Sequence, residues 1–455
     1  MSEPVTTASV SPRRRREVVD ALRRGTVPAQ GLDLLAVGLD RFAAALAAEL
    51  DTVAGGGSVF KAVRGEYGSG KTFFTRHLAE QALRRGFATA EVQVSETETP
   101  LHKLETVYRR ITESLRTASV APSAFRSVLD SWLFTLETDA VLADPSLETA
   151  SPARVMEAVE DLLTQRLAAV TSKTPAFALA LRAYRRAVAD GESATADALA
   201  AWLGGQPHVA ASAKRAAGVR GDLDHFGALG FLQGLLIVLR DAGHPGLLLV
   251  LDEVETLQRM RGDVRDKALN AIRQLIDEVD SGRFPGLYLM VTGTPAFFDG
   301  PSGVPRLPPL AQRLAVDFST DARFDNPRAV QVRLAGFDEG SLLAVGTKVR
   351  DLYADGTSHA DRIQSVVNDE YVAELASAVT GNLGGKVGIA PRVFLKKLVG
   401  EVLDRVDQFP DFDPRQDYAL TLRHDELSEV ERQAAAGGAG RRESAGSADE
   451  VELDL

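Results

Sequence analysis

The sequence predicts an α/β fold in which a parallel, doubly wound sheet is flanked by helices. Short, mostly apolar runs that read as buried strands occur at 58–63, 246–251 and 287–291. Weaker strand patterns occur at 88–94 and 328–334. The first run leads into a glycine-rich turn and the second ends in two acids. Because strands that alternate with helices form parallel sheets, we expect function at the carboxyl edge of this sheet.

The pattern along the chain divides it into four regions. We expect an N-terminal helical segment at 1–55, followed by a sheet core at 56–337 that carries a helical insertion at about 120–225. A helical lid, or C-terminal domain, is expected at 338–431. The last region, 432–455, is rich in Ala, Gly and acidic residues, which is typical of a disordered tail.

Composition excludes several classes of function. The 455 residues are 45% apolar and contain no cysteine, so disulfides, thiolate metal sites and thiol catalysis are absent. No apolar run reaches the roughly 18 residues of a membrane span, and no apolar stretch follows the basic N-terminal residues as in a secretory signal. We therefore expect a cytoplasmic protein. The net charge of −11 disfavours a surface devoted wholly to nucleic acid.

The glycine-rich turn matches a phosphate-binding motif in full. It reads GEYGSGKT and follows the pattern G-x-x-x-x-G-K-[ST], between a predicted strand and a predicted helix. The glycines let backbone N–H groups approach a phosphate, Lys71 adds charge near the β and γ phosphates, and the Thr72 hydroxyl ligates Mg²⁺. An ordinary glycine-rich turn is the alternative. The predicted nucleotide-binding residues are Gly65, Glu66, Tyr67, Gly68, Ser69, Gly70, Lys71 and Thr72.

Two acids directly follow the second apolar run, in GLLLVLDEVETL. Asp252 is predicted to hold Mg²⁺ and Glu253 to act as the general base that activates water. Two carboxylates at a buried strand end are costly without a cation beside them, which favours this reading over a simple polar turn. We expect Glu255 to be solvated. No N-K-x-D motif follows the later strands, so ATP is favoured over GTP.

Further polar residues complete the predicted site. The third strand ends in VTGTP, where Thr292 or Thr294 can hydrogen-bond the γ-phosphate or the attacking water. Phosphoryl transfer also calls for an arginine, often from a neighbouring subunit. Arg306 and Arg313 are candidates, and we favour Arg313 because it ends a short predicted helix. Arg392, at the start of a later helix, is a second candidate. A surface position is the alternative for each arginine.

Several segments together resemble a known family. In chain order they are LRRGTVP, GEYGSGKTFF, LDEVETL, VTGTPAFFDG, PLAQRL and GIAPRVFLKKLV. They are similar to AAA+ ATPases near the origin-recognition branch, and more closely to the BrxD family, the ATP-binding proteins of BREX (bacteriophage exclusion) systems. The resemblance runs from about Arg15 to Arg432. The phosphate and acidic motifs are common to many ATPases, whereas GEYGSGKTFF and LRRGTVP are more particular.

The resemblance implies roles for individual residues. It implies a P-loop sheet of the ASCE type with a helical lid, with 65–72 as Walker A and the Asp252–Glu253 pair as Walker B. Thr292 or Thr294 would be sensor 1, where the AAA+ pattern usually has Asn, and Arg392 would be sensor 2. The stretch 37–38 would lie near the adenine.

Three functions follow from these observations and the resemblance. The first is an ATP-hydrolysing switch or motor in a phage-defence complex, as a homo-oligomer with other BREX proteins as partners. The second is a DNA-binding loader, for which Lys386, Arg392, Lys396 and Lys397 are the candidate basic residues. The third is a scaffold that nucleotide stabilises without catalysis, which the intact acidic pair disfavours.

Overall fold

The computed structural model describes residues 10–168, 174–382 and 391–422, with residues 427 and 432. The tail that is predicted to be disordered, 432–455, lies outside the described residues except for residue 432. Lys386 also lies outside them. The chain divides into two compact units. The sheet unit comprises Ala44–Arg64 and Gln81–Val332, and the helical unit comprises the described residues of Met1–Ala43, Gly65–Glu80 and Arg333–Leu455.

A five-stranded sheet forms the centre of the sheet unit. Its strands lie in the order β2-β3-β4-β1-β5, and β2 with β3, β3 with β4, and β4 with β1 pair in parallel. The strands are β1 Val59–Arg64, β2 Ala88–Gln93, β3 Leu247–Asp252, β4 Leu287–Gly293 and β5 Gln331–Arg333. The predicted α/β fold with a parallel sheet flanked by helices is confirmed.

The burial of the two central strands, β3 and β4, explains their continuous apolar sequences. All residues of β3 and of β4 are buried, as expected for central strands covered on both faces. The register pairs Leu251 with Val291 across β3 and β4, and Val63 with Thr292 across β4 and β1. The carboxyl ends of these three strands therefore leave the sheet at one edge, where the predicted motifs begin.

Helices account for most of the remaining described chain. In order they are α1 Pro12–Arg23, α2 Asp40–Ala54, α3 Lys71–Arg84, α4 Leu104–Ser114, α5 Phe125–Ala143, α6 Pro152–Arg166, α7 Pro175–Ala189, α8 Ser193–Leu203, α9 Ala211–Ala216, α10 His225–Asp241, α11 Gly262–Asp280, α12 Pro295–Asp299, α13 Pro308–Arg313, α14 Glu339–Ala354, α15 Ala360–Val366, α16 Asp369–Asn382, α17 Pro391–Lys397, α18 Asp404–Gln408 and α19 Pro414–Asp417. A π-helical turn, Leu398–Leu403, joins α17 to α18.

The helices between β2 and β3 share one apolar core with the sheet. Phe231 of α10 lies at its centre and makes edge-to-face contacts with Tyr108, Phe177 and Trp202, at ring-centroid distances of 5.7, 5.1 and 5.4 Å. Such pairs add to the free energy of burying the rings. The described residues of the segment at 120–225 are therefore packed as part of the sheet unit.

The helical unit has a core of its own, which joins the N-terminal helix to the C-terminal helices. The Ser11 side chain caps α1 by accepting a hydrogen bond from the Arg14 N–H, and Pro12 occupies the first turn, where its missing N–H costs nothing. At the other end, Arg23 donates from Nε and Nη2 to the two carboxylate oxygens of Asp404, at 2.6 and 2.8 Å. This two-point contact fixes α1 against α18.

Among the described helices, none combines the length and the apolar character needed to cross a membrane.

Candidate functional site

The predicted phosphate loop, residues 65–72, belongs to the helical unit and occupies the turn between β1 and α3. β1 ends at Arg64, the loop begins at the next residue, and α3 begins at Lys71. Gly68 and Gly70 have φ angles of +81° and +87°, in the left-handed region that only glycine adopts at low cost. The sequence therefore places glycine where the curled backbone requires it.

The Lys71 ammonium lies inside this loop. It donates to the carbonyl oxygens of Gly65 and Glu66, at 2.9 and 3.2 Å, and Nζ lies 5.2 Å from the centroid of the Tyr67 ring. Only 8% of Lys71 is exposed, whereas Tyr67 is 40% exposed. The positive charge is thus held at the loop and is partly shielded from solvent, which strengthens its attraction for an anion.

The start of α3 presents further groups to an anion. N–H groups in the first turn of any helix lack an intrahelical acceptor, and the helix dipole makes this end positive. Thr72, the second residue of α3, adds a hydroxyl oxygen. The loop, lysine and helix start therefore suit the phosphate chain of a nucleotide.

Gly65→Ala should weaken ATP binding at least about tenfold, because the new methyl group overpacks the loop. A Cβ at Gly65 would lie 2.3 Å from Ser69 Oγ and 3.2 Å from Ser69 Cβ. Titration with a fluorescent ATP analogue would measure the loss. Adding Ser69→Ala should restore part of the affinity, and Gly381→Ala, where nothing lies within 4 Å of the added group, is the control. Wild-type affinity in Gly65→Ala would refute the steric argument.

The acidic pair belongs to the sheet unit, where hydrogen bonds connect it to β4. Asp252 is the last residue of β3 and is 5% exposed. The Thr292 hydroxyl donates to Asp252 Oδ1. The Glu253 N–H donates to the same Oδ1 at 3.1 Å and to Thr292 Oγ1 at 3.2 Å. The structure therefore brings together three of the residues that the sequence predicts: Asp252, Glu253 and Thr292.

Glu253 is held in an unusual conformation. Its φ angle is +61°, a left-handed value that costs free energy for a residue with a side chain and often marks a functional position. Its carboxylate Oε2 accepts a hydrogen bond from Gln93 Nε2 at 2.9 Å. Gln93 ends β2 and lies in register with Asp252. The amide thus fixes one oxygen of the carboxylate.

Sequence reasoning missed Gln93 and misjudged Glu255. A polar residue at the end of β2 was a signal, but its meaning depends on β2 lying beside β3. Glu255 was expected to be solvated, and this expectation is wrong: Glu255 is only 5% exposed. It lies in a 3₁₀ turn, Val254–Arg259, that carries Glu255 back into the protein instead of out to water.

The second predicted threonine has a different environment. Thr294 is 4% exposed, and its carbonyl accepts hydrogen bonds from the N–H groups of Phe297 at 2.9 Å and Phe298 at 3.3 Å. It is thus the N-cap residue of α12, although its side chain makes no capping hydrogen bond. Thr292 is the one of the two that hydrogen-bonds to the acidic pair.

The chain matches the family model of the BREX system ATP-binding protein BrxC/D over residues 10–422. The protein belongs to this family. No curated protein and no solved structure is significantly similar to the chain. Membership in the BrxC/D family establishes an ATP-binding protein of a BREX system, which agrees with the phosphate loop.

The donor groups of this BrxC/D chain also suit Mg²⁺. Mg²⁺ prefers hard oxygen ligands and keeps several waters. Thr72 offers a hydroxyl oxygen and Asp252 a carboxylate, and Asp252 is oriented by the hydrogen bonds from Thr292 and Glu253. Each of these two oxygens is thus of the kind that Mg²⁺ prefers.

Both arginine candidates after β4 lie against acids of α11. Arg306 donates from Nε to Asp266 Oδ1 and from Nη2 to Oδ2, the latter at 3.0 Å. This hydrogen bonding from Arg306 lowers the pKa of Asp266 below its usual value. Arg313 donates from Nε to Asp277 and from Nη1 to the Pro309 carbonyl at 2.8 Å. Within the sheet unit these arginines thus contact α11.

Arg392 is the second residue of α17 and is exposed. A Cβ at Gly25 would lie 3.5 Å from its Nη1 and 3.2 Å from Lys396 Cδ, so this face of α17 lies beside the end of α1. Lys397 is 2% exposed and pairs with Glu401 at 3.2 Å. It is therefore not available for DNA, contrary to its place in the loader hypothesis.

Proposed function

We propose that the protein is a BrxD-type AAA+ ATPase that hydrolyses ATP to ADP and phosphate with Mg²⁺, and acts as a switch or motor in a phage-defence complex. The observation that supports hydrolysis most directly is the arrangement around Glu253. A protein that only binds nucleotide has no need of a carboxylate held at a strained backbone position by a dedicated amide. This arrangement disfavours a purely structural role for ATP.

Binding is the task of the phosphate loop and of two oxygen ligands. Backbone N–H groups of residues 65–72 surround the phosphates, and Lys71 neutralises charge on the β and γ groups. Thr72 and Asp252 would hold Mg²⁺, which supplies further neutralisation when bound. Thr292 keeps the Asp252 carboxylate oriented, since its hydroxyl donates to Oδ1.

Hydrolysis needs a base, and Glu253 is suited to this role. One carboxylate oxygen, Oε2, is fixed by Gln93, so Oε1 can accept a proton from water. The water oxygen forms a bond to the γ-phosphorus while the bond from the γ-phosphorus to the bridging oxygen breaks. ADP leaves with that electron pair, and the proton passes to Glu253.

Arginines complete the proposed mechanism. We assign Arg313 to a neighbouring copy's γ-phosphate, which requires a homo-oligomer and release of its contact with Asp277. Arg392 is assigned to the γ-phosphate of the ATP that its own chain binds, from the helical region at 338–431 that would serve as the lid. Other BREX proteins are the proposed partners.

The direct test is phosphate release by the purified protein with ATP and Mg²⁺. We expect turnover that EDTA abolishes and that exceeds the rate of a Glu253→Gln variant. Repeating the assay with DNA would test the loader hypothesis. Turnover that equals the Glu253→Gln rate under all conditions would refute the proposed hydrolysis.

Thr292→Val should lower kcat about tenfold and leave ATP affinity within about threefold. The substitution keeps the shape of the side chain but removes the hydroxyl that donates to Asp252 and accepts from the Glu253 N–H. Loss of a hydrogen bond to a charged group costs about 1.5–3 kcal/mol. Steady-state kinetics and nucleotide titration would separate the two effects. Thr292→Ser should restore most of the rate, and an unchanged kcat in Thr292→Val would contradict the role.

A further inference from the structure

A buried arginine lies at the carboxyl end of β1. Arg64 is the residue before the phosphate loop, and its side chain is 10% exposed. Its Nη1 donates to Asp299 Oδ1 at 3.1 Å and its Nη2 donates to Oδ2. Asp299 ends α12 and is 63% exposed. The guanidinium is thus neutralised from the solvent side while its other face points inward.

Two aromatic rings pack beside this guanidinium. Arg64 Cζ lies 4.8 Å from the centroid of the Phe318 ring and 5.8 Å from that of Phe298. Cation–π contacts of this kind stabilise a cation that has lost part of its hydration. Because the carboxylate and the rings both constrain it, the planar group does not rotate freely.

The inward face contacts a buried glutamine. Arg64 Nη1 donates to Gln331 Oε1 at 3.2 Å, and Gln331 Nε2 donates to the Leu314 carbonyl at 2.8 Å. Gln331 begins β5 and is 4% exposed. The amide orientation is forced, since a guanidinium only donates and a carbonyl only accepts. Both ends of the amide are therefore committed.

The hydrogen bond to the Leu314 carbonyl connects Gln331 to the end of α13. Leu314 directly follows Arg313, which ends α13, and the side chain of Arg313 is tied to Asp277 of α11. A continuous hydrogen-bonded chain thus runs from the residue before the phosphate loop to the residue after Arg313. Packing of the apolar core alone does not require charged and amide groups at these buried positions.

We propose that Arg64 and Gln331 form a positioning relay. Through it, the position of Arg64, directly before the phosphate loop, sets the position of the end of α13 and thus of Arg313. Both are positioning residues. The inference rests on the proposed function, in which Arg313 acts in hydrolysis. One consequence is that the nucleotide bound by one copy controls the position of the Arg313 side chain that this copy presents to a neighbouring copy.

The relay is tested with Gln331→Glu, assayed for ATP turnover at about pH 8, where a glutamate beside Arg64 is ionised. The new side chain keeps an acceptor for Arg64 but turns an acceptor toward the Leu314 carbonyl. We expect kcat to fall about tenfold while KM stays within about twofold. Gln233→Glu is the matched control, because Gln233 Nε2 also donates to a backbone carbonyl, that of Arg283, at 3.1 Å.

The decisive measurement repeats Gln331→Glu in an Arg313→Ala background. If Gln331 acts through Arg313, its effect should fall below about twofold there. An equal tenfold loss in both backgrounds would overturn the relay, and so would an Arg313→Ala variant with wild-type turnover. Absence of turnover in the wild type would instead overturn the proposed hydrolysis, which makes the two failures distinguishable.

Asp299→Asn provides a second route should Gln331→Glu fold poorly. Asp299 is largely exposed, so its replacement leaves the core intact while loosening the grip on Arg64. We expect a smaller loss of kcat, about threefold, that again disappears in the Arg313→Ala background. Melting curves would establish that each variant is folded. A loss that persists without Arg313 would refute the relay in this variant too.

Discussion

Glu253→Gln is expected to lower kcat for ATP hydrolysis about thousandfold and to leave ATP affinity within about threefold. General bases contribute factors of about 10²–10⁴ to the rate, and an amide cannot accept the proton of the attacking water. The variant otherwise preserves the site. A glutamine carbonyl oxygen can still accept from Gln93 Nε2, and the backbone N–H still donates to Asp252 and Thr292. Single-turnover kinetics would isolate the chemical step.

The control replaces an acid that lies away from the site. Glu278 of α11 forms an ion pair with Arg283 at 2.9 Å. Glu278→Gln therefore also replaces a carboxylate by an amide, but it leaves the acidic pair unchanged. Its kcat should stay close to that of the wild type. Turnover by Glu253→Gln at the control's rate would remove Glu253 from the mechanism, even if ATP binding is intact.

The sequence could predict the strands and their carboxyl edge because the signals there are local. The apolar runs at 246–251 and 58–63 differ by one residue at each end from the observed β3, Leu247–Asp252, and β1, Val59–Arg64. A strand buried on both faces needs a continuous apolar run, and glycine is needed where φ is positive. Both requirements are written in consecutive residues.

The length of the edge strand β5 was predicted less well. The run at 328–334 predicts a strand of seven residues, whereas β5 comprises only Gln331–Arg333. One polar residue within this run has another role. Gln331 is drawn into contacts with Arg64 and the Leu314 carbonyl, which no pattern within the run indicates. Local strand propensity is a weak guide at the edge of a sheet.

The partners of charged residues were beyond sequence reasoning because they lie far apart along the chain. Gln93 meets Glu253 across 160 positions, and Arg313 meets Asp277 across 36. Which arginine meets which acid depends on strand order and helix packing. The acidic pair was found because its two members are adjacent, whereas Gln93 needed the position of β2 beside β3.

A buried ionic network in the sheet unit contributes to stability and not to the predicted site. Lys61 of β1 is 1% exposed, and its ammonium contacts the Glu49 carboxylate of α2 at 2.5 Å. It also donates to the carbonyls of Pro327 and Ala329, at 2.8 and 3.1 Å. The Tyr288 hydroxyl donates to Glu49 at 2.5 Å. These contacts connect α2, two central strands and the segment before β5.

Tyr288 cannot take over the role of the lysine. Burial and the neighbouring Glu49 carboxylate raise the pKa of Tyr288 well above its usual value, so the hydroxyl stays neutral. It offers one hydrogen bond and no charge. If Lys61 were removed, Glu49 would therefore remain as a carboxylate with 17% of its side chain exposed and no cation beside it within this network.

Lys61→Met should destabilise the protein by about 3 kcal/mol, because breaking a buried ion pair leaves the other charge uncompensated. The methionine fills the space of the lysine stem, so the loss reports on the charge and the two abandoned carbonyls. Denaturant unfolding followed by circular dichroism would measure it. Arg126→Met is the control: Arg126 is 49% exposed and pairs with Asp130 and Asp197 at the surface, where an ion pair contributes at most about 1 kcal/mol.

Combining Lys61→Met with Glu49→Gln separates the charge from the packing. The glutamine can still accept from Tyr288, and no isolated carboxylate is left behind. The double variant should therefore be more stable than the sum of the two single losses predicts, by about 1–2 kcal/mol. Strictly additive losses would show that Lys61 and Glu49 contribute independently, and the network would then be two separate contacts that happen to be neighbours.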